Sequence, residues 1–239
     1  MPDHSSLPPK PLVVSPEVPA PAQLFVLFHG ESSDPRQLQG LASALRQAFP
    51  RAAIVLPYGP VRTGPGIYSW VDSPDGGPRA DAVSTLAGLV RQLQQHYGLT
   101  GEHTALAGFS QGASLVLEAC AAWPDLAGRA LFFSGAYARL PSVSPPKTTL
   151  HFLHGADDDV APVARVGEVH ARLAALRGDA TFDVASSVGH ELHPALVAQA
   201  VLRLQTCVPL RSWETALDEL EARDADASPA QGADGRTLH

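Results

Sequence analysis

Two hydrophobic patterns alternate along most of the chain. Short runs of consecutive apolar residues, of which Leu24–Phe28 is the clearest, are typical of strands covered on both faces. Between these runs, apolar residues recur at spacings of three and four, as on one face of an amphipathic helix. The pattern predicts strands at 12–15, 24–28, 52–56, 104–107, 130–133, 149–153 and 182–185, and helices from 34 onward and at 81–97, 113–122, 163–176 and 195–204.

This alternation predicts the fold class. Repeated strand–helix–strand units favour a mostly parallel, doubly wound sheet with helices on both faces, in one domain. The first two runs, 12–15 and 24–28, are expected to form a hairpin or two neighbouring strands at one edge of the sheet. Residues 59–80 form a long Gly/Pro-rich connection. Long connections of this kind inside compact domains are usually functional.

The two ends of the chain differ from the middle. Residues 1–11 are rich in Pro and Ser, and we expect them to be disordered. The predicted domain spans 12–222 and ends in a short amphipathic helix that carries Trp213, Leu217 and Leu220. Residues 223–239 are mostly acidic or small, which predicts a solvated acidic tail.

Composition excludes several classes of protein. The chain has 239 residues, a net charge of -7 and two cysteines. An acidic chain without a basic run is not expected to bind nucleic acid, and two cysteines cannot form a disulfide scaffold or a four-cysteine zinc site. No apolar run reaches the roughly 18 residues of a membrane span, and the N-terminus lacks the apolar stretch of a signal peptide. We therefore expect a cytoplasmic protein, and no pattern indicates an oligomeric state.

A candidate nucleophile lies between a predicted strand and a predicted helix. Gly108-Phe109-Ser110-Gln111-Gly112 matches the pattern G-x-S-x-G in the strand–turn–helix context that this pattern requires. A serine there must adopt a strained conformation, and flanking glycines avoid clashes. The motif predicts that Ser110 is a nucleophile; the alternative is a Gly-rich turn that only makes a tight corner.

A serine nucleophile needs a base and an acid, which should follow it along the chain in the order acid, then histidine. Gly189-His190 follows a predicted strand, which makes His190 the candidate base. The candidate acids are Asp157, Asp158 and Asp159, which leave another strand together. The residues alone favour Asp158 but leave the other two open.

A metal site is the alternative reading of this region. His190 and His193 are three residues apart and could face one side of a helix. However, the segment does not match H-E-x-x-H, Pro194 would break a helix through it, and no third ligand is evident. We therefore predict no metal.

The end of the first long strand is a candidate oxyanion loop. In this type of fold the residue after the glycine of Phe28-His29-Gly30 donates one backbone N–H, here from Glu31, and the residue after the nucleophile, Gln111, donates the other. The alternative is that His29-Gly30 is only a strand exit, as His154-Gly155 would be.

Taken together, these residues resemble the phospholipase/carboxylesterase family, which includes bacterial carboxylesterases and acyl-protein thioesterases. Within it, residues 107–141 are most similar to the YpfH-type bacterial esterases. One departure is that the family pattern H-G-x-G-D reads His29-Gly30-Glu31-Ser32-Ser33-Asp34 here. The resemblance rests on Phe28-His29-Gly30, Gly108-Phe109-Ser110-Gln111-Gly112-Ala113, His154-Gly155-x-x-Asp158-x-Val160 and Gly189-His190.

The resemblance implies an α/β-hydrolase fold without a large cap domain, no cofactor, and hydrolysis of carboxylic esters or thioesters. It also implies that Asp158 is the triad acid. Tyr68 and Trp70 resemble an aromatic segment that lines the acyl side of the cleft in the family. The alternative for these two residues is an aromatic plug that anchors the long connection.

The prediction is therefore a serine hydrolase with the triad Ser110, Asp158 and His190, acting on a small-molecule ester or thioester through an acyl-enzyme. One alternative is an α/β-hydrolase with impaired catalysis that binds a ligand or regulates a partner. Another is a protease or amidase, although nothing in the sequence indicates a peptide groove.

Overall fold

The computed structural model describes residues 9–14, 20–72 and 80–227. None of the helices in these ranges has the length and apolar character needed to cross a membrane. The strands are β1 Leu12–Val14, β2 Gln23–Phe28, β3 Ala52–Leu56, β4 Val61–Gly64, β5 Ile67–Ser69, β6 Thr104–Phe109, β7 Arg129–Phe133, β8 Thr149–Gly155 and β9 Ala180–Ala185. The α-helices are α1 Gln39–Ala48, α2 Ala80–Tyr97, α3 Gln111–Ala122, α4 Val163–Ala175, α5 Pro194–Thr206 and α6 Leu210–Ala227.

Seven strands form the main sheet in the order β1-β3-β2-β6-β7-β8-β9. The pairs from β3 to β9 are parallel, and β1 is antiparallel to β3. This confirms the predicted mostly parallel, doubly wound sheet. The carboxyl ends of the parallel strands therefore lie at one edge, where the loops that carry chemistry meet.

The pairing expected for the first two strands is wrong. β1 and β2 are not neighbours, because β3 lies between them. The crossover through α1 places β3 parallel and adjacent to β2, so β1 pairs with the outer edge of β3, from Leu12 opposite Leu56 to Val14 opposite Ile54.

Successive side chains of each central strand enter two separate cores, as the period of two requires. Leu24, Val26 and Phe28 of β2 pack into the core under α2, α3 and α4. Phe25 and Leu27 pack into the core under α1 and α5. The continuous apolar run in the sequence thus reflects a strand that is buried on both faces.

The long connection after β3 contains structure that its Gly/Pro content did not predict. β4 and β5 form a small antiparallel hairpin, and Tyr68 of β5 exchanges backbone hydrogen bonds with Ser33 in the loop after β2. The hairpin is therefore attached to the edge of the sheet where the site residues lie. Residues 73–79 of this connection lie outside the described residues.

The chain divides into a compact unit that ends at Cys207 and a second unit that begins at Val208, whereas the sequence predicted a boundary at 222. The helix of the second unit, α6, ends at Ala227, beyond that predicted boundary. Its apolar residues include Trp213 and Leu217, which the sequence assigned to a short amphipathic helix. Most of the predicted disordered N-terminus (1–8) and of the predicted acidic tail (228–239) lies outside the described residues.

Candidate active site

The turn from β6 into α3 holds Ser110 in a strained conformation. Its backbone angles are φ 52° and ψ -115°, in the region that L-residues rarely occupy. The glycines on either side have no room for a side chain: a Cβ on Gly108 would lie 2.4 Å from Ala113 N, and one on Gly112 would lie 2.3 Å from Phe28 O. The residue pattern G-x-S-x-G is therefore required by packing at this turn.

The same turn directs backbone donors toward the region of Ser110. Gln111 is the first residue of α3, so its N–H has no acceptor within the helix. The N-terminus of the helix also carries a partial positive charge. The Gln111 side chain is occupied elsewhere, since its Oε1 accepts from Trp70 N at 2.8 Å. This bond attaches the long connection to the turn that carries Ser110.

His190 and Asp158 form a hydrogen-bonded pair at the same edge of the sheet. His190 Nδ1 lies 3.0 Å from Asp158 Oδ1 and 2.9 Å from Oδ2. Since a carboxylate only accepts, Nδ1 carries a proton, and in the neutral ring the other nitrogen, Nε2, has a lone pair. The His190 ring also packs on Phe109, with centroids 4.9 Å apart, and Phe109 immediately precedes Ser110. The geometry thus brings His190 beside the turn that carries Ser110.

Among the three acids that the sequence left open, Asp158 is the one that contacts His190. It is buried, with 5% of its surface exposed. Its Oδ1 accepts from Val160 N at 3.1 Å and from Ala161 N at 2.7 Å. Burial raises the pKa of the Asp158 carboxyl. The hydrogen bonds from Ala161 N–H and the His190 ring lower it by more than burial raises it, so that the pKa lies below its ordinary value. Asp158 is therefore ionised at neutral pH.

A second histidine, which the sequence analysis treated only as a strand exit, lies on the other side of this carboxylate. His154 is the penultimate residue of β8 and is buried. Its Nε2 lies 2.6 Å from Ala161 O and 3.4 Å from Asp158 Oδ2. Burial lowers the pKa of His154, which keeps the ring neutral. The ring therefore holds the loop that carries Asp158. In the sequence, the only sign of this role is that the dipeptide His-Gly occurs at the ends of two strands, at His29 and at His154.

The backbone N–H groups of the loop after β2 differ in their partners. Gly30 N donates to Gln37 Oε1 at 2.7 Å, and Ser32 N donates to Ser69 Oγ at 2.9 Å. Between them, the N–H of Glu31 has no hydrogen-bond partner among the residues that the structure describes. This is the N–H that the sequence assigned to the oxyanion hole. No sequence signal indicated the acceptors Gln37 and Ser69.

The departure from the family pattern is accommodated at Ser32. This residue lies at the position of the second glycine in H-G-x-G-D and has a positive φ of 46°, which a glycine would adopt without strain. The hydrogen bond from its N–H to Ser69 Oγ stabilises the turn.

The two aromatic candidates occupy different environments. Trp70 is buried, its Nε1 donates to His29 O at 2.7 Å, and its ring packs against Phe28. These contacts favour the alternative that Trp70 anchors the long connection. Tyr68 is half-buried and its ring packs against that of Tyr58, with centroids 5.1 Å apart.

The histidine that could have formed a metal site with His190 has another role. His193 Nδ1 accepts from Ala195 N at 3.2 Å and caps the N-terminus of α5. Within the described residues, no group of three or more His, Cys, Asp or Glu side chains could hold a metal ion.

A doubly wound parallel sheet with a strained serine between a strand and a helix defines an α/β-hydrolase. The chain belongs to the phospholipase/carboxylesterase family, since the model of that family matches residues 9–208. This confirms both the resemblance and the fold inferred from the motifs.

Individual relatives agree with this assignment. The chain is 33% identical to esterase YpfH of Escherichia coli (strain K12) over 222 residues, which cover 90% of this chain and 95% of that protein. The crystal structure of esterase PE8 superposes with a TM-score of 0.72 at 25% identity and covers 83% of this chain and 99% of its own. The Bacillus cereus carboxylesterase shares the fold, with a TM-score of 0.68, 16% identity and coverage of 80% and 91%. The protein is a carboxylesterase-type hydrolase.

Proposed function

We propose that this hydrolase cleaves carboxylic esters and thioesters of small molecules through the triad Ser110, His190 and Asp158 and an acyl-enzyme intermediate. The observation that carries the proposal is the pair of short contacts from His190 Nδ1 to the buried Asp158, beside the strained Ser110. The pair leaves His190 Nε2 available as a base at the edge of the sheet where the serine lies.

In the first step, Ser110 Oγ attacks the substrate carbonyl while His190 Nε2 takes its proton. Asp158 holds the reactive tautomer of His190 and stabilises the imidazolium that forms. The lowered pKa of Asp158 supports this role, because the carboxylate stays charged when the ring gains its proton.

The negative charge that develops on the carbonyl oxygen needs donors already in place. Glu31 N–H, which has no partner among the described residues, and Gln111 N–H at the start of α3 are suited to this. Each donor of this kind is worth roughly 3 kcal/mol in the transition state, because it requires no reorganisation during the reaction.

Collapse of the tetrahedral intermediate releases the leaving group. His190 returns its proton to the departing alcohol or thiol, and the acyl group remains on Ser110. Water then attacks the acyl-enzyme with His190 as base, which restores the free serine and releases the acid. A thiol leaves more readily than an alcohol, so the same groups serve thioesters.

A recess beside the acid loop is suited to an apolar part of the substrate. It measures about 230 Å³ and is lined by residues 135–138, which follow β7, by residues 160–162 and by Arg165. This volume is below the roughly 300–1,000 Å³ of pockets for drug-sized ligands. We therefore expect short acyl chains to be preferred, which a series of p-nitrophenyl esters from acetate to decanoate measures.

The triad is tested by Ser110→Ala, with p-nitrophenyl esters and acyl-CoA thioesters as substrates. We expect a loss of roughly 10⁴-fold or more in kcat, since triad members act as a unit. Ser134→Ala is the matched control: like Ser110, Ser134 directly follows a strand of the main sheet and has a positive φ, here 47°. It should retain activity.

A fluorophosphonate probe distinguishes the enzyme from a binding protein of the same fold. We expect it to label Ser110 in the folded wild type and in Ser134→Ala, but not in Ser110→Ala. Folded wild-type protein that hydrolyses no ester and takes up no label would overturn the proposed function and favour the ligand-binding alternative.

A further inference from the structure

His29, which follows β2 directly, makes two side-chain hydrogen bonds that fix its protonation. Its Nε2 lies 3.0 Å from Gly59 N and its Nδ1 lies 2.7 Å from Gly30 O. A backbone N–H can only donate, so Nε2 must carry a lone pair. The proton of the neutral ring is therefore on Nδ1, which donates to the Gly30 carbonyl.

The carbonyl that His29 binds belongs to the same peptide unit as Glu31 N–H. This peptide bond is trans and planar, so its C=O and N–H point in opposite directions. A donor that fixes the direction of the Gly30 carbonyl therefore fixes the direction of the Glu31 N–H as well. The N–H aligned in this way has no hydrogen-bond partner among the residues that the structure describes.

The ring is itself held from several sides. His29 is fully buried, and its ring packs on Trp70 with centroids 5.0 Å apart. Trp70 Nε1 also donates to His29 O. Gly59, which donates to the ring, is confined because a Cβ there would lie 2.3 Å from Ser69 O. Burial lowers the pKa of His29, in keeping with a ring that stays neutral.

We propose that His29 is a positioning residue of the oxyanion hole: through the Gly30 carbonyl, its Nδ1–H aligns the Glu31 N–H with the oxyanion that forms on the substrate. This inference rests on the proposed function. It predicts that the bond made by Nδ1 matters for the reaction, whereas the bond made by Nε2 matters mainly for holding the ring.

Two amides separate these bonds. In His29→Asn, the amide nitrogen occupies the place of Nδ1 and can still donate to Gly30 O, while the bond from Gly59 is lost. In His29→Gln, the amide oxygen reaches the place of Nε2 and can still accept from Gly59 N, but no donor remains at the place of Nδ1. A role limited to filling the core would not distinguish the variants in this order.

We expect His29→Gln to lower kcat by about 10²–10³-fold, as loss of one oxyanion donor does, with KM changed by less than about threefold. His29→Asn should recover at least about a tenth of the wild-type kcat. A trifluoromethyl ketone inhibitor, whose adduct with Ser110 carries an oxyanion, should bind more weakly to His29→Gln in proportion to the loss in kcat.

His151→Gln controls for replacement of a buried histidine. His151 is fully buried in β8, and its Nδ1 contacts Thr181 Oγ1. This variant should lower the melting temperature but not kcat. Equal kcat in His29→Gln and His29→Asn, or losses that follow only the melting temperature, would overturn the inference. An inactive, unlabelled wild type would instead overturn the proposed function, which separates the two failures.

Discussion

The two His-Gly strand exits share a dipeptide but differ in what they present to the site. After the end of β2, His29 Nδ1 bonds to the carbonyl of the next residue, and the N–H of Glu31 has no partner in the part of the chain that the structure describes. At the end of β8, His154 bonds to Ala161 O and holds a loop whose side chain, Asp158, faces His190. One exit thus offers a backbone donor, and the other offers a carboxylate.

The difference arises from the span that each histidine bridges. His29 reaches only one residue along the chain through Nδ1, so it acts on a single peptide unit. His154 reaches seven residues along the chain through Nε2, so it closes a whole loop. In both cases a buried neutral histidine near a strand end binds a backbone carbonyl oxygen. What the bond stabilises depends on which ring nitrogen donates and on where the carbonyl lies.

Of the variants that test the difference between the two strand exits, those at the Asp158 carboxylate should change kcat the most. Asp158→Asn should lower kcat by roughly 10⁴-fold, because an amide can stabilise the wrong tautomer of His190. Asp157→Asn and Asp159→Asn are the matched controls and should each cost far less. Steady-state hydrolysis of a p-nitrophenyl ester measures kcat for all three variants. A comparable loss of kcat in either control would show that the assignment of Asp158 as the acid is wrong.

The backbone donor at the other exit should give the next effect. Glu31→Pro removes the N–H and should lower kcat by about 10²–10³-fold. Glu31→Ala keeps the N–H and should retain activity, because the role needs no side chain. Circular dichroism must show both variants folded. Equal activity in the two variants would mean that the exit of β2 is only a turn.

The glycines of the two exits should differ in their effect on stability. A Cβ on Gly155 would lie 2.2 Å from the backbone oxygen of Val188, whereas one on Gly30 would lie 3.0 Å from the Phe109 ring, which can shift. Gly155→Ala should therefore cost about 3 kcal/mol and Gly30→Ala about 1 kcal/mol. Urea unfolding measures both, and the reverse order would contradict the packing described here.

The smallest expected effect is on the pH dependence of stability, because the buried histidines are neutral in the folded protein. Burial lowers the pKa of His29, His154 and His151, the last to about 4. As pH falls below 6.5, the unfolded chain binds protons that the folded chain does not, so stability falls, by up to about 1.4 kcal/mol per pH unit for each such histidine.

Urea unfolding between pH 7 and pH 5 measures this slope. His151→Gln should make the slope shallower, because one of the histidines that titrates only on unfolding is gone. His29→Asn should do the same at the exit of β2. An unchanged slope in His29→Asn would mean that His29 is charged in the folded protein, against the tautomer assigned from its contacts.

Local patterns predicted much of this molecule. The alternation of apolar runs with helical spacing identified the parallel sheet, and all seven strands of the main sheet begin within two residues of the predicted start. G-x-S-x-G identified the strained turn at Ser110, because that conformation needs glycines at fixed offsets. These features depend on residues close together in the chain, where period and steric limits act directly.

Other features depend on residues far apart, and the pattern could not reveal them. The position of β3 between β1 and β2 follows from the crossover through α1, and the hairpin after β3 forms because it pairs with the loop at Ser33. Gln37 and Ser69, which bind the donors on either side of Glu31, have no mark in the sequence.

By itself, the sequence determined the order of strands and helices, the strained turn at Ser110 and the three candidate acids, because residue type and spacing suffice for these. Only the tertiary structure decided among Asp157, Asp158 and Asp159, which are chemically the same, since burial and the contact with His190 select one. It also decided which backbone carbonyl groups His29 and His154 bind, because a hydrogen bond depends on where its partner lies in the fold.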